Sequence, residues 1–460
     1  MAAENTVENT AGKQKMTRME KSWILYDVGN SAFTLLASAV LPIYFNYLAG
    51  EGGVGETDAT AYWGYAASIV TLIVAVLGPT LGTLADFRGF KRPLFLFAAA
   101  IGIAGCAALG VPLPWIAFLV VFVLVKAAYS TSLVFYDSML CDVTTRDRLD
   151  KISAQGYAWG YIGSCIPFII SIVLIVFTPL DYTVSMPLAF AVNALWWFVC
   201  TLPLLKNYSQ KYYVERRPHA VRENFKRLFS VFSKKTRLPN RKGIVLFLVA
   251  FFFYIDGVYT IIDMATSFGT ALGFGTANLL IALLVTQVVA FPAAIAFGKI
   301  ASRVRDDVLI LVCIAAYAGI ALFAVFMTQV WQFWILAVAV GIFQGGIQAL
   351  SRSYFAKIIP GEQSGCLFGI LDIFGKGAAF MGTLLVGVVT QATGSVNLGV
   401  VPIVCLFCAG LGMFLVSMRV NRRHAAAAEP PAGSERSAAP VPAPSAEWQK
   451  GNTPSADGNA

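Results

Sequence analysis

The stretch KNYSQKYYVERRPHAVRENFKRLFSVFSKKTRLPNRK, residues Lys206 to Lys242, interrupts a chain that is otherwise 57% hydrophobic. Twelve of its 37 residues are Lys or Arg, and only Glu215 and Glu223 are acidic. A basic run between long apolar segments belongs on the cytosolic side of a membrane. It divides the chain into an N-terminal and a C-terminal set of spans. Within it Val221, Phe225, Leu228, Phe229 and Phe232 share one helical face, away from Arg222, Lys226 and Arg227. That pattern fits a helix lying on an anionic leaflet, and a solvated basic linker fits it equally well.

Only 13% of the 460 residues are charged, too few to cover a water-facing surface of this size. The chain therefore reads as an all-α polytopic membrane protein. Its net charge of +9 does not point to nucleic acid, because the basic residues fall in connections between apolar runs. The eight cysteines lie mostly inside those runs, with no Cys/His spacing of a metal site, so neither a disulfide nor a metal is expected. The first 22 residues are polar and show no cleavable leader, which leaves insertion to the first span.

Apolar runs long enough to cross a bilayer lie near 23–48, 61–85, 93–111, 115–136, 153–177 and 185–205. After the basic stretch six more follow, near 243–266, 275–299, 308–327, 331–355, 366–390 and 397–418. The expected organisation is a cytosolic segment over 1–22, a six-helix bundle over 23–205, the linker over 206–242, a second bundle over 243–420 and a disordered cytosolic tail over 421–460. Thirty-two of the 34 Lys and Arg residues fall in the segments this arrangement makes cytosolic or, like Lys299 and Arg352, at the span ends that border them, and the other two, Lys126 and Lys376, sit deep inside spans. The opposite loops carry Glu51, Glu56, Asp58 and Asp181 but no Lys or Arg, so both termini are expected in the cytosol.

After the second span comes Gly82-Thr-Leu-Ala-Asp86-Phe-Arg88-Gly89-Phe-Lys91-Arg92, which resembles the cytosolic loop motif of the major facilitator superfamily. Phe87 and Phe90 stand where that family often has basic residues. A degenerate copy, Gly298-Lys-Ile-Ala301-Ser-Arg303, follows the eighth span. The glycines permit close helix approach, Asp86 can accept hydrogen bonds or face a helix N-terminus, and Arg88, Lys91 and Arg92 would anchor the loop. A narrower resemblance, to the vacuole-effluxer-like branch, is carried by Tyr26-Asp27, Asn30-Ser31-Ala32-Phe33, Phe135-Tyr136, Gly156-Tyr157-Ala158, Gly160-Tyr161, Gly163, Asp256-Gly257, the run Gly345 to Ser353, and Phe374-Gly375-Lys376. The resemblance implies two pseudo-symmetric six-helix bundles around a central cavity. It also implies transport, with amino-acid export the activity of the best-known members, and it constrains fold more than substrate.

Polar residues inside the spans name the candidate site. Asp27, Ser31, Thr34 and Ser38 share one side of the first span, and Asp256, Thr260, Asp263 and Ser267 repeat the spacing in the seventh. With Asn30, Lys126 and Tyr129 they are the expected substrate and proton cavity. Lys126 stands mid-span, where insertion costs roughly 2.5 to 3.5 kcal/mol, and Asp27 or Asp256 is its expected partner. The family pattern would place a neutral residue at Lys126, Asn at Asp137 and Pro at Cys141. Asp372 and Lys376 can pair along one helix. Gly156, Gly160 and Gly163 read as close-packing positions, and Arg352 as either a gate anchor or a side chain snorkelling to phosphate.

A secondary transporter of a small polar solute, plausibly an amino acid, with proton coupling through carboxylates, is the leading reading. A sensor or scaffold on the same fold, or a carrier of sugars, organic anions or drugs, remains open. A membrane enzyme would need a nucleophile and base or a metal cluster, and no His-Glu-x-x-His or phosphate-binding loop is present. No cofactor is expected. The expected partners are the solute and, near 206–242, anionic lipid, with the chain monomeric in the bacterial cytoplasmic membrane.

Overall fold

In the computed structural model, residues 15–215 and 238–428 are described. The candidate interfacial helix at 221–232 and the tail beyond 428 lie outside them. The chain runs through α1 (Arg18–Ala39), α2 (Leu41–Glu51), α3 (Glu56–Ala85), α4 (Lys91–Leu109), α5 (Trp115–Val143), α6 (Leu149–Ile172) and α7 (Tyr182–Asn207). The second half holds α8 (Arg241–Ala271), α9 (Thr276–Ile300), α10 (Asp306–Val325), α11 (Val330–Ile358), α12 (Ser364–Thr393) and α13 (Val401–Ala428). Eleven of these helices are long and apolar enough to cross a membrane, and α1 with α2 supplies a twelfth as a bent pair. The described residues are all-α, with six spans on each side of the basic stretch, as the sequence implies.

Two features of the first span differ from the sequence reading. It starts at Arg18, five residues earlier than hydropathy places it. The Thr17 hydroxyl accepts from Glu20 N and the Glu20 carboxylate accepts from Thr17 N, a capping box built from polar residues. It also breaks at Val40, where α1 and α2 meet at 45°. Pro42 lacks the N–H that would continue the ladder, and its ring crowds the preceding turn. At the other end α13 continues past Arg423 to Ala428, because a run of alanines favours helix.

Lipid and protein sides are reversed relative to a soluble fold. Leu72, Phe97 and Phe177 are 69%, 68% and 77% exposed, whereas Asp142, Ser153, Asp256 and Thr260 are fully buried. A bilayer gives no water to unpaired backbone, so helices carry the span and the polar side chains turn inward. Because the spans are even in number, residue 18, the α3–α4 turn, Asn207, Arg241 and Asn421 share one face, hereafter the terminal face.

On that face the two halves meet at two tight crossings, α3 on α12 and α6 on α9. At the first, a Cβ on Gly82 would lie 2.3 Å from the Gly365 carbonyl oxygen, and one on Gly369 would lie 2.6 Å from that of Gly78. At the second, a Cβ on Gly298 would lie 2.6 Å from the Ala154 methyl. Gly82 and Gly298 are the equivalent glycines of the two motif copies, so one packing solution is used twice.

Candidate functional site

A cavity of about 1240 Å³ lies between the halves. Its wall includes Met327 and Val396, in connections on the face opposite the termini, and its floor includes Tyr136, Asp137, Tyr157 and Arg352. The cavity thus reaches the far surface and ends above the terminal face. Of the predicted cavity residues, Asp27, Asn30, Ser31, Thr34, Tyr129, Thr260 and Asp263 line it.

Arg352 closes the floor. Its Nη1 donates to Asp137 Oδ1 at 2.9 Å, its Nη2 stands 3.8 Å from Asp27 Oδ2, and its Nε and Nη2 donate to the Ser153 hydroxyl and carbonyl at 3.0 Å each. The guanidinium also faces the rings of Tyr157, Trp23 and Tyr136 at 4.2, 4.7 and 5.5 Å. The side chain does not snorkel to phosphate: it joins α11 of the second half to α1, α5 and α6 of the first. Asp137 and Arg352 are each the twenty-third residue of a 29-residue helix, and those helices are the fourth and tenth spans. The pair therefore links pseudo-equivalent positions of the two halves. Gly156 makes room for it, since a Cβ there would lie 2.9 Å from Asp27 Oδ2 and 3.1 Å from Arg352 Nη2. Gly160 and Gly163 seat α6 against Ser31 and Val28 of α1 in the same way.

Lys126 departs from its expected place. It is not on the cavity wall, and among the described residues no carboxylate lies within ion-pair distance of it. Its ammonium faces the rings of Tyr129 and Phe33 at 5.2 and 5.9 Å, and the carboxylate whose charge acts on it is Asp263, not Asp27 or Asp256. Tyr129 is itself fixed by a 2.6 Å bond to Thr34. Asp256 is also turned from the cavity. Its Oδ1 accepts from Gly382 N at 2.9 Å and from Thr260 at 3.3 Å, tying α8 to α12. Ser267 falls outside the described side chains. The cavity lysine is Lys376, paired with Asp372 at 2.6 Å, and both residues line the wall.

Under the floor a polar clasp joins the halves. Asp86, the residue after the second span, is buried: it accepts from Gly365 N at 2.7 Å and Cys366 N at 3.0 Å in the first turn of α12. Lys91 is fully buried and donates to Asp142 and Ser364, each at 3.0 Å. Asp142 accepts in addition from Tyr208 and from the amides of Lys211 and Tyr212, which straps the chain after α7 across the motif loop. Gly89, at φ +78°, donates to Gln210 at 3.0 Å. Arg88 makes an exposed 3.4 Å pair with Glu215, and Arg92 is exposed. At the second crossing Lys357 is held by Asp150 and Asp306, and Arg146 donates to the Lys357 carbonyl at 2.9 Å. Asp137 was visible in the sequence only as a departure from the family pattern. Asp142, Asp150 and Lys357 were not singled out, although four acids within 14 residues, Asp137, Asp142, Asp147 and Asp150, at the end of one span and the start of the next were a signal.

Burial pushes the Asp86 carboxyl up to about 7 from 3.8, outweighing Lys91 and the two amides. A raised value means that this group's contribution to the closed face is full below about 3.8 and is lost as pH rises through about 7. Asp86→Asn keeps one acceptor and sets an NH2 against an amide, at a cost of about 1 to 3 kcal/mol. A cysteine at Glu362 should become more reactive in this variant, and the ratio of its rate to that in the Asp86 parent, in which the thiol's own titration cancels, should fall as pH rises from 5 to 8. Reactivity unchanged from the parent at every pH would show that the clasp does not hold this face.

Comparison with known proteins follows the same lines. The family model described as vacuole effluxer Atg22 like matches residues 16–428. The uncharacterised MFS-type transporter YxiO of Bacillus subtilis (strain 168) is 43% identical over 406 residues, covering 86% of this chain and 94% of that protein. Autophagy-related protein 22 of Yarrowia lipolytica (strain CLIB 122 / E 150) is 26% identical over 307 residues, 60% of this chain and 51% of that protein, so the match spans about half of the fungal relative. Among solved structures, the human organic anion transporter MFSD10 (TETRAN) superposes with a TM-score of 0.64 at 12% identity, covering 88% of this chain and 98% of that one. A bacterial homologue of the iron transporter ferroportin, in an outward-facing state with soaked iron, gives 0.64 at 12%, covering 87% and 98%. At that identity the structures share the fold alone.

Proposed function

The chain belongs to the Atg22-like vacuole effluxer family and is a multi-pass transporter of the major facilitator type, and from that premise we propose that it carries an amino acid by proton-coupled alternating access. The observation that carries this reading is the mixed charge of the cavity wall: Asp27, Asp137, Asp263 and Asp372 face the same space as Arg352 and Lys376. A solute with an ammonium and a carboxylate finds counter-charges for both on one wall. The carboxylates supply the proton sites, since His219 falls in the basic stretch and His424 stands at the very end of the last span, away from the cavity wall.

The placement of Lys and Arg supports a terminal face on the cytosolic side, in a bacterial cytoplasmic membrane on this reading. The cavity then opens outward and the clasp is the closed cytosolic gate. One chain encloses the cavity, which supports a monomer as the working unit, and the basic run over 206–242 supports contact with anionic lipid. A cysteine at Val54 should react with an impermeant reagent outside intact cells, and one at Ser302 should not. The reverse pattern would overturn the orientation.

The function is tested by uptake of a labelled amino-acid panel into proteoliposomes, with and without a pH gradient. At least one amino acid should accumulate, several-fold more with the gradient. Saturable binding without flux would mark a sensor, and flux indifferent to the gradient would remove the proton.

A further inference from the structure

The cavity floor holds more acid than base. Asp27 and Asp137 share one cation, Arg352, and its bonds go to Asp137 and Ser153. Asp27 is 6% exposed, lines the cavity, and its Oδ2 is buried with no hydrogen-bond donor. Around that oxygen stand Arg352, the aromatic faces that surround the guanidinium, and the missing Cβ of Gly156. Acid oxygens beside aromatic faces form the environment a cation seeks.

We infer that this floor is the recognition site for a primary ammonium of the solute, which binds Asp27 Oδ2 and competes with Arg352 for Asp27 and Asp137. The inference rests on the transport reading above and assigns the end of the solute that faces the gate. With the site empty, pulling Arg352 away would leave buried charges unpaired, so the floor stays shut. An ammonium in its place restores the charge balance, and Arg352 is free to leave with α11. Occupancy by a cation is then what releases the terminal face, and a solute bearing only a carboxylate cannot release it.

Trp23, stacked on Arg352 at 4.7 Å, is a built-in reporter. The purified full chain in nanodiscs is titrated with L-leucine, L-leucinamide and N-acetyl-L-leucine while tryptophan fluorescence is followed. The first two should give a saturable change that is absent in Trp23→Phe, and N-acetyl-L-leucine should bind at least about tenfold more weakly, the loss of one good charge contact. Asp27→Asn should weaken the ammonium compounds by a similar factor, with Asp137→Asn as the second variant if Asp27→Asn fails to fold. Equal affinity of N-acetyl-L-leucine and L-leucinamide, no Trp23-dependent change with any of the three, or an unchanged titration in the folded aspartate variant would overturn the site. Amino-acid flux that does not need a free ammonium sinks this inference and leaves the transport reading. Ammonium-dependent binding without flux does the opposite.

Discussion

Arg352→Ala should lower solute flux by at least about a hundredfold and leave the terminal face unsealed, because it removes the one cation shared by Asp27 and Asp137. Breaking a buried pair on one side typically costs about 3 to 5 kcal/mol, since the partners remain buried and uncompensated. Here two partners are orphaned, and Trp23, Tyr136 and Tyr157 lose the group they surround. Arg352→Lys should recover little, because a point charge cannot reach Asp137 and both oxygens of Ser153 at once. Adding Asp137→Asn to Arg352→Ala should recover expression but not flux, a pattern that separates folding from gating. Flux of Arg352→Ala within about twofold of wild type, at equal protein in the membrane, would show that the ion pair is only structural.

Gly82→Leu should trap the protein with its terminal face open. The Cβ at Gly82 would lie 2.3 Å from a backbone carbonyl, an atom that cannot move without shifting α12. Overpacking of this kind costs typically about 1 to 3 kcal/mol in a forgiving core, and backbone against backbone is the least forgiving case. Separation of α3 from α12 also removes the bonds from Asp86 to Gly365 and Cys366, which sit one turn along the same crossing. The expected readout is a cysteine at Glu362 labelled several-fold faster than in wild type, with transport lost and solute-independent labelling. Slow labelling and normal transport would mean that the crossing can spread without opening.

The spans were legible because a bilayer imposes length and apolarity on every one of them, and the basic stretch marked the midpoint. Their ends were less so. The capping box at Thr17 and Glu20 is polar and invisible to hydropathy, and the break at Val40 hides inside an unbroken apolar run. Helical periodicity put Asp256 and Asp263 on one side of α8, yet only Asp263 lines the cavity while Asp256 turns to Gly382. Spacing says which residues share a face, and the neighbouring helix decides what that face meets. Lys126 shows the same limit. A mid-span lysine calls for a partner or a water-filled cavity, and spacing points to Asp27 or Asp256, whereas the fold gives it two aromatic faces and the more distant charge of Asp263. Asp137 and Arg352 lie 215 residues apart, and their equivalence emerges only when the starts of α5 and α11 are fixed.

In the proposed cycle, solute binding exchanges a cavity open to the far face for one open to the terminal face. Pulsed electron resonance measures it directly in nanodiscs, with spin labels at exposed Arg92 and Glu362 on the terminal face and at exposed Gly53 and half-buried Ser395 on the other. With a saturating transported solute the first distance should lengthen and the second shorten, and Arg352→Ala should show a long first distance without solute. Distances that do not change when solute is bound would contradict alternating access in this chain.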